Sequence, residues 1–223
     1  SKAYDKVITN YGIGSDYAQY QKSMSLGFLG KNDEKAIELA KIASEYPDSN
    51  FKDDALFQLG NTFATLTDNF KAHSAYNRLK EKHPKSSYIP GVLLRQGLLF
   101  YNDKNHDKAI AKYKEVTAKY PYSNEAKQAV SNAKNVYIDL GNVDEYATWV
   151  KGLSFVNISD EEVENTMFEA AENKFLEDDS KKAIKGFEKY IKKFPNGSHA
   201  LKANFYLAQL LSKDGKKEEE HLL

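Results

Sequence analysis

Apolar residues recur along most of this chain at helical spacing. Leu56, Leu59 and Phe63 stand at positions i, i+3 and i+7, and no segment sustains the strict alternation of apolar and polar residues that marks a half-buried strand. Short polar stretches such as GKND and TDN interrupt the helical pattern at regular places. The pattern predicts an all-α protein built from pairs of helices, which we call the A helix and the B helix of each pair.

The pairs repeat with a period of 37 residues. Four of the five prolines share one phase, at steps of 37, 37 and twice 37: Pro47, Pro84, Pro121 and Pro195. An alanine stands twelve residues before three of these prolines and an aromatic residue stands eight before: Ala72, Ala109, Ala183, Tyr76, Tyr113 and Phe187. A register kept at several positions predicts a helical repeat array, in which each pair buries its apolar face against its neighbours.

The prolines and the serines that follow them predict where helices end and begin. Proline lacks an amide donor and disfavours the α conformation of the residue before it, so each one ends a B helix. The fifth proline, Pro90, suits the first turn of an A helix. Serine side chains accept hydrogen bonds from free amides at helix starts, so four serines are expected to cap the next A helices: Ser49, Ser87, Ser123 and Ser198.

These signals divide the chain into one repeat array. Its expected parts are a tail of a preceding repeat at 1–14, repeats at 15–49, 50–86, 87–123, 124–160 and 161–197, and a partial repeat at 198–223. In the last part we expect an A helix, a turn, and the first turn of a B helix in KKEEEHLL. Because the chain starts within a repeat, we expect it to be a piece of a longer protein.

The fourth repeat departs from the pattern. Lys134 occupies the position of a small residue, Tyr146 that of an alanine and Ile158 that of a proline. Its B helix is expected over 144–159, and Ser159 with Glu162 has capping-box spacing for the next helix. We expect looser packing there or a local change in the array. The tryptophan of this repeat, Trp149, either fills the space left by missing small residues or marks a second contact surface.

Composition narrows the function. Hydrophobic residues make up 41% and charged residues 29%, with 32 basic and 32 acidic residues, so no global field favours nucleic acid. Cysteine is absent, which excludes disulfides, and no apolar run approaches the roughly 20 residues needed to span a bilayer. The five histidines are dispersed and no metal, nucleophile or phosphate-binding motif occurs. We therefore expect a protein that is not an enzyme and has no catalytic, cofactor or metal site.

The repeat positions carry a family resemblance. A small residue of the A helix is followed by an aromatic, and the B helix carries an alanine, an aromatic and a closing proline; the best examples are Gly60, Phe63, Ala72, Tyr76 and Pro84. These spacings resemble the tetratricopeptide repeat. The resemblance implies an α-solenoid, a right-handed superhelix of stacked antiparallel helix pairs, that binds proteins or peptides.

The unit length and the closing motif narrow the resemblance. A 37-residue unit ending in YPxS resembles the subgroup found in the bacterial β-barrel-assembly lipoprotein of the outer membrane and in the periplasmic Tol-Pal-associated coordinator. This resemblance implies a bacterial envelope setting, in the periplasm, with the full-length protein associated with the outer membrane. A cytoplasmic location is the alternative.

The resemblance also selects candidate binding residues on the concave face of the A helices. One phase gives Phe57, Leu94, Ser131, Phe168 and Phe205, the next exposed phase gives Asn61, Leu98, Asn135, Glu172 and Gln209, and Tyr101 and Phe175 lie close by. An aromatic and amide ladder of this kind suits an extended or helical protein segment. The alternative is that the apolar phase is packing between repeats. The predicted function is a non-enzymatic protein-interaction scaffold, and the alternative is an architectural array for self-association or domain connection.

Overall fold

The computed structural model describes residues 2–10 and 14–220 of the chain, and it confirms the all-α prediction. No strand occurs in these ranges. Twelve helices follow one another: α1 (Lys2–Asn10), α2 (Ser15–Phe28), α3 (Asn32–Glu45), α4 (Lys52–Thr65), α5 (Asn69–Lys82), α6 (Ile89–Asn102), α7 (His106–Lys119), α8 (Asn124–Leu140), α9 (Val143–Lys151), α10 (Asp160–Leu176), α11 (Ser180–Lys193) and α12 (Ala200–Glu220). Within the described part of the chain, no helix combines the length and apolar character needed to cross a membrane.

The helices form two compact units, one ending at Val116 and the other beginning at Thr117. In the first unit, consecutive helices pack as pairs, α2 on α3 and α4 on α5, and α3 also packs on α4. One part of the core lies where these pairs meet, with Leu39, Ile42 and Ala55 fully buried. Each pair thus buries its apolar face against the next one, as the repeat pattern predicts.

The second unit follows the same scheme from α8 to α12. Helix α10 packs on α8, α9 and α11, and α11 packs on α12. The aromatic side chains of Phe187 and Tyr190 on α11 are fully buried, and the ring of Phe168 on α10 packs against both. The pairing of A and B helices therefore holds in each unit described by itself.

Glycine allows the two helices of a pair to approach closely. A Cβ atom placed on Gly60 would lie 2.3 Å from Cε1 of Tyr76, and one on Gly97 would lie 2.5 Å from Cε1 of Tyr113. Both tyrosines are fully buried. The small A-helix residue and the B-helix aromatic of the repeat pattern therefore contact each other. The aromatic ring occupies the space that a larger side chain on the A helix would fill.

The prolines end the B helices as predicted. Helices α3, α5, α7 and α11 each stop two residues before a proline. The residue between, such as Tyr46 with ψ 78° or Phe194 with ψ 65°, has left the α conformation. Pro90 lies in the first turn of α6, also as predicted.

Only one of the four serine caps is formed as predicted. The Ser123 hydroxyl accepts from the amide of Ala126 at the start of α8. The helices after Ser49, Ser87 and Ser198 begin two or three residues later, and the N-cap residues of α4 and α6 are Phe51 and Tyr88 instead of the serines. The Ser49 hydroxyl accepts from the amide of Phe51, just before the first turn of α4. Ser159 does cap α10, by accepting from the amide of Glu162.

Two predicted helix boundaries are wrong. Helix α9 ends at Lys151 with Gly152 as its C-cap residue, whereas the sequence pattern placed a B helix over 144–159. Helix α12 continues through Asp214 and Gly215 to Glu220, whereas a turn was expected there. In the predicted tail at 1–14, residues 2–10 form α1, while residues 1 and 11–13, like 221–223, lie outside the described residues. The division into repeats stays a prediction.

The turns between A and B helices share one backbone conformation. A residue in the left-handed conformation occurs in five successive turns, always 37 positions after the previous one: Gly30, Thr67, Lys104, Gly141 and Asp178. Three of the five are not glycine, although side chains with a Cβ are disfavoured by about 1–2 kcal/mol in this conformation. The geometry of the turn is thus kept even where the residue type does not favour it.

Candidate functional site

An open cleft of about 400 Å³ lies between the A helices α4 and α6 of the first unit. Its lining residues come from α4, α6 and the intervening B helix α5: Asn61, Ala64, Thr65, Tyr76, Arg95, Leu98, Leu99 and Asn102. Two of them, Asn61 and Leu98, are predicted groove residues that stand one repeat apart. The cleft therefore brings together members of the phase that the sequence singled out.

The buried tyrosine orients the amide of Asn61. The Tyr76 hydroxyl donates a hydrogen bond of 2.8 Å to Oδ1 of Asn61. Burial raises the pKa of Tyr76, so its hydroxyl stays protonated and remains a donor. Because the carbonyl end of the Asn61 amide is held by this bond, its NH₂ group is the end left to donate to a ligand. The glycine-to-tyrosine contact thus also places a polar group in the cleft.

Arg95 gives the cleft a positive charge. Its side chain is exposed on α6, one turn before Leu98, and no ion pair or hydrogen bond holds it within the described part of the chain. No other charged residue lines the cleft. A guanidinium presents a planar fork of donors that matches a carboxylate in two parallel hydrogen bonds. The cleft therefore combines one anion-binding group, two amides and the apolar side chain of Leu98.

The remaining predicted residues of the first unit are involved in packing. Leu94 is buried at 7% exposure, and this corrects the expectation that it lines an accessible groove. The ring of Phe57 is half-buried and stacks on Tyr88, with 4.8 Å between centroids. Tyr101 is half-buried with its ring edge on to His106. These side chains face neighbouring helices, which is the alternative that the sequence left open for the apolar phase.

In the second unit the corresponding A-helix residues are covered by α12 and by His199, the residue before it. Phe168 is buried at 4% exposure and stacks on His199 with 4.4 Å between ring centroids, so its predicted groove role is corrected to packing. Phe175 stacks on Tyr206 at the same distance. The half-buried carboxylate of Glu172 forms an ion pair with Lys202 at 2.7 Å, so its charge is neutralised.

The other predicted residues lie apart from these contacts. Ser131 and Asn135 are exposed on α8, and Ser131 lines a second concavity of about 450 Å³ together with Lys134 and Tyr146. Phe205 is 66% exposed on α12. Whether the accessible members of the predicted set bind a ligand stays a prediction.

Sequence reasoning missed Arg95, Thr65 and Asn102. Arg95 shares its repeat position with Gln58, Asn132 and Glu169, so no common charge marks it. Thr65 and Asn102 share one repeat position and are both polar, but that position holds Leu176 and Lys213 later in the chain, so the property is not kept. One signal was present: the chain has only two arginines, and Arg95 stands three residues before the predicted Leu98 on the same helix. Residues at i and i+3 share a helix face.

Trp149 fills space in the degenerate fourth repeat. Its half-buried ring packs against Tyr137 and Tyr146, with centroid distances of 6.4 and 6.2 Å, and both tyrosines are buried. Tyr146 stands where other repeats carry alanine. In the regular pairs, small residues let the two helices approach closely and leave no space between them. In this repeat the three rings fill the space between the helices, which favours the space-filling interpretation of Trp149. In the described ranges, no group of three or more acidic or histidine side chains is placed to hold a metal ion.

The paired helices, the glycine-to-tyrosine contacts and the closing prolines define a helical-repeat protein. Residues 54–86, 92–123 and 166–197 match the family model of the tetratricopeptide repeat. These three segments are therefore similar to the tetratricopeptide repeat, in agreement with the resemblance seen in the sequence. No curated protein sequence matches the chain.

Solved structures of tetratricopeptide repeat proteins share this fold. A protein from Parabacteroides merdae is 15% identical with a TM-score of 0.56, over 97% of this chain and 76% of its own. The C-terminal part of a repeat protein from Cytophaga hutchinsonii is 17% identical with a TM-score of 0.58, over 97% of this chain and 83% of its own. YrrB, described as having an unusual peptide-binding site, is 13% identical with a TM-score of 0.54, over 91% of this chain and 97% of its own. At these identities the likeness concerns the fold alone.

Proposed function

We propose that this protein is a non-enzymatic scaffold that binds a protein segment in the cleft between α4 and α6. The observation that carries the proposal is Arg95, which is exposed and has no partner among the described residues, beside the oriented amide of Asn61 and the apolar surface of Leu98. The function of tetratricopeptide repeats in general, which is protein interaction, supports it. So does the peptide-binding site described for YrrB, as a property of a protein with the same fold.

The chemistry of the cleft defines the segment that fits it. Arg95 is suited to a glutamate or aspartate side chain, because a bidentate, charge-assisted pair is stronger than a neutral hydrogen bond. The Asn61 and Asn102 amides are suited to the main-chain groups of the segment, and Leu98 to an apolar side chain next to the acidic one. The expected ligand is a segment with adjacent acidic and apolar residues.

Selection of random peptides tests the proposal. Twelve-residue peptides displayed on phage are selected on the whole chain, and the enriched sequences are synthesised and measured by fluorescence anisotropy. We expect Arg95→Gln and Leu98→Asp to weaken binding about tenfold or more, in line with the loss of a charge-assisted pair or of apolar contact. Replacement of the other arginine, Arg78→Gln, is the matched control and should leave affinity unchanged. Equal binding to all four proteins contradicts the proposal.

The cellular setting is a further part of the proposal. The 37-residue unit and the YPxS motif support a role in bacterial envelope assembly, in the periplasm and near the outer membrane. Fractionation of cells that express the full-length protein with a C-terminal tag tests this. Recovery in the periplasmic or outer-membrane fraction is the expected result, and recovery with a cytoplasmic marker protein contradicts it.

Self-association is a second candidate function, favoured by the surface of α12. Leu201 and Phe205, one helical turn apart, are 87% and 66% exposed on this helix. Exposed apolar side chains in a row favour a contact with a second copy of the chain. Light scattering over a range of concentrations tests this candidate: a dimer that Phe205→Glu returns to monomer supports it, and a monomer at all concentrations refutes it.

A further inference from the structure

A smaller and more enclosed pocket lies in the second unit, at the start of α9 and between α10 and α11. It measures about 240 Å³. Its floor is apolar and built from small or flexible side chains, including Met167, Ala170 and Ala171. Gly186 belongs to the same floor, and a Cβ atom on it would lie 2.8 Å from the Cβ of Ala171. The volume is large enough to take one apolar side chain such as that of leucine or phenylalanine.

Lysines surround this floor. Four lysines line the pocket, Lys174, Lys182, Lys185 and Lys189, and none of the described lining residues is acidic. Three of them have carboxylate partners outside the pocket, at 2.7–2.9 Å. Lys185 has none among the described residues and is exposed. The pocket is therefore an apolar depression with an unneutralised positive charge at its edge.

The charge extends along the B helix that forms one wall. Helix α11 contains six lysines and one glutamate in its 14 residues, although the chain as a whole is neutral. Three of the lysines, Lys182, Lys189 and Lys193, pair with Asp179 or Asp144. Concentrated charge of one sign attracts the opposite charge and raises the association rate of a complementary partner. The pocket is formed by α9, α10 and α11, but α10 carries six acidic residues and one lysine, so the positive charge belongs to the α11 wall alone. The pocket shares no residue with the cleft of the first unit.

We propose that this pocket docks an acidic segment of a partner protein, which inserts one large apolar side chain between glutamate or aspartate residues. The apolar floor takes the inserted side chain, and Lys185 with its neighbouring lysines binds the flanking carboxylates. A protein segment fits better than nucleic acid, because no aromatic side chain lines the pocket to stack on a base and no arginine is present. Anchoring by a single buried side chain within a polar rim is the usual design of a small protein contact.

The test uses a biased peptide library and the whole chain. Nonapeptides with glutamate or aspartate at the three positions on each side and random residues at the central three are displayed on phage and selected at low salt. We expect enrichment of leucine, isoleucine, phenylalanine or methionine at one central position. The enriched peptide, synthesised and measured by anisotropy, should lose affinity as salt is raised, because the lysine contacts are screened.

Two variants and a matched control show whether the pocket is responsible. Lys185→Glu, on an exposed side chain that leaves the fold intact, should weaken the peptide about tenfold or more, and Ala170→Leu, which fills the floor, should do the same. Lys192→Glu makes the same charge change on α11 outside the pocket lining and should change affinity less than about threefold. A circular dichroism melting curve shows whether each variant is folded.

Several results would overturn the proposal. No enrichment of an apolar centre, or equal effects of Lys185→Glu and Lys192→Glu, would mean that the helix attracts acidic chains without a defined site. A twelve-residue oligothymidine, or vesicles containing phosphatidylglycerol, that bind more tightly than the peptide and depend on Lys185 would assign the surface to nucleic acid or lipid. Because the cleft variant Arg95→Gln leaves this pocket unchanged, failure of one site does not imply failure of the other.

Discussion

Replacement of Gly60 by alanine tests the contact on which each regular helix pair is built. The new Cβ would lie 2.3 Å from Cε1 of Tyr76, whereas non-bonded carbons are separated by about 3.5–4.0 Å. The tyrosine ring must therefore move by about 1 Å. It is fully buried and its hydroxyl is bonded to Asn61, so a movement of the ring disturbs both the core and this hydrogen bond.

The expected loss of stability is a balance of three effects. Alanine in place of a glycine within a helix contributes about 1 kcal/mol of stability. Overpacking of a filled core costs about 1–3 kcal/mol, and a weakened buried hydrogen bond costs about 1 kcal/mol. We expect Gly60→Ala to lower the free energy of unfolding by about 2 kcal/mol, which lowers the Tm of a chain of this size by roughly 4–8 °C.

Thermal unfolding followed by circular dichroism measures this effect, with Gly27→Ala as the control. Gly27 is also within an A helix, but a Cβ there would meet only the Lys35 side chain, whose Cδ lies 3.0 Å away and can move. The control should have an unchanged or raised Tm. If Gly60→Ala matches Gly27→Ala, the ring of Tyr76 does not fill the space of the missing side chain and the argument is refuted.

Three further predictions concern single side chains. Burial lowers the pKa of His73 below its usual 6.5. As the pH drops through about 6.5 the unfolded chain therefore takes up a proton before the folded chain does, and the stability of the fold decreases. Tm measured from pH 7.5 to 5.5 should decrease less in His73→Gln than in the original protein, and an equal decrease contradicts this. Thr67→Gly should raise the free energy of unfolding in urea by about 1 kcal/mol by relieving a left-handed β-branched residue, and a decrease would show that the turn carries no strain. Glu164→Gln should lower it by about 1 kcal/mol, because the carboxylate accepts from the hydroxyls of Tyr190 and Ser198, whereas Glu169→Gln, exposed on the same helix, should have no effect.

The sequence was sufficient to predict the fold because the same physical constraints recur in every unit. Two local signals recur: a proline two residues beyond each regular B helix, and a small residue opposite an aromatic one. Because both recur with the same period, each supports the helix boundaries that the other predicts. The exceptions lie where the period is broken. Gly152 was predicted inside a helix because the fourth repeat has no proline to mark the end of its B helix. Helix α9 nevertheless ends at Gly152, since glycine is a weak helix former.

The candidate site was predictable only in part. Asn61 and Leu98 were found because they share a phase with an exposed face, but Phe168 has the same kind of signal and is buried under His199. An apolar residue at repeat spacing serves equally well for binding or for packing, and the choice depends on the side chain that the next helix places against it. Arg95 was missed because an arginine occurs at only one of the equivalent repeat positions, and a residue that differs between repeats leaves no periodic trace.

The left-handed residue that recurs every 37 positions has a consequence for how such a chain changes length. Because Thr67 and Lys104 hold the same backbone conformation at the same place in their turns, the segment between them can be removed or duplicated with both joints unchanged. Insertion of a single residue would instead shift the left-handed residue out of its place in the turn. The gene is therefore expected to gain or lose sequence in whole units of one helix pair, and shorter insertions are expected to be confined to the degenerate segment after α9.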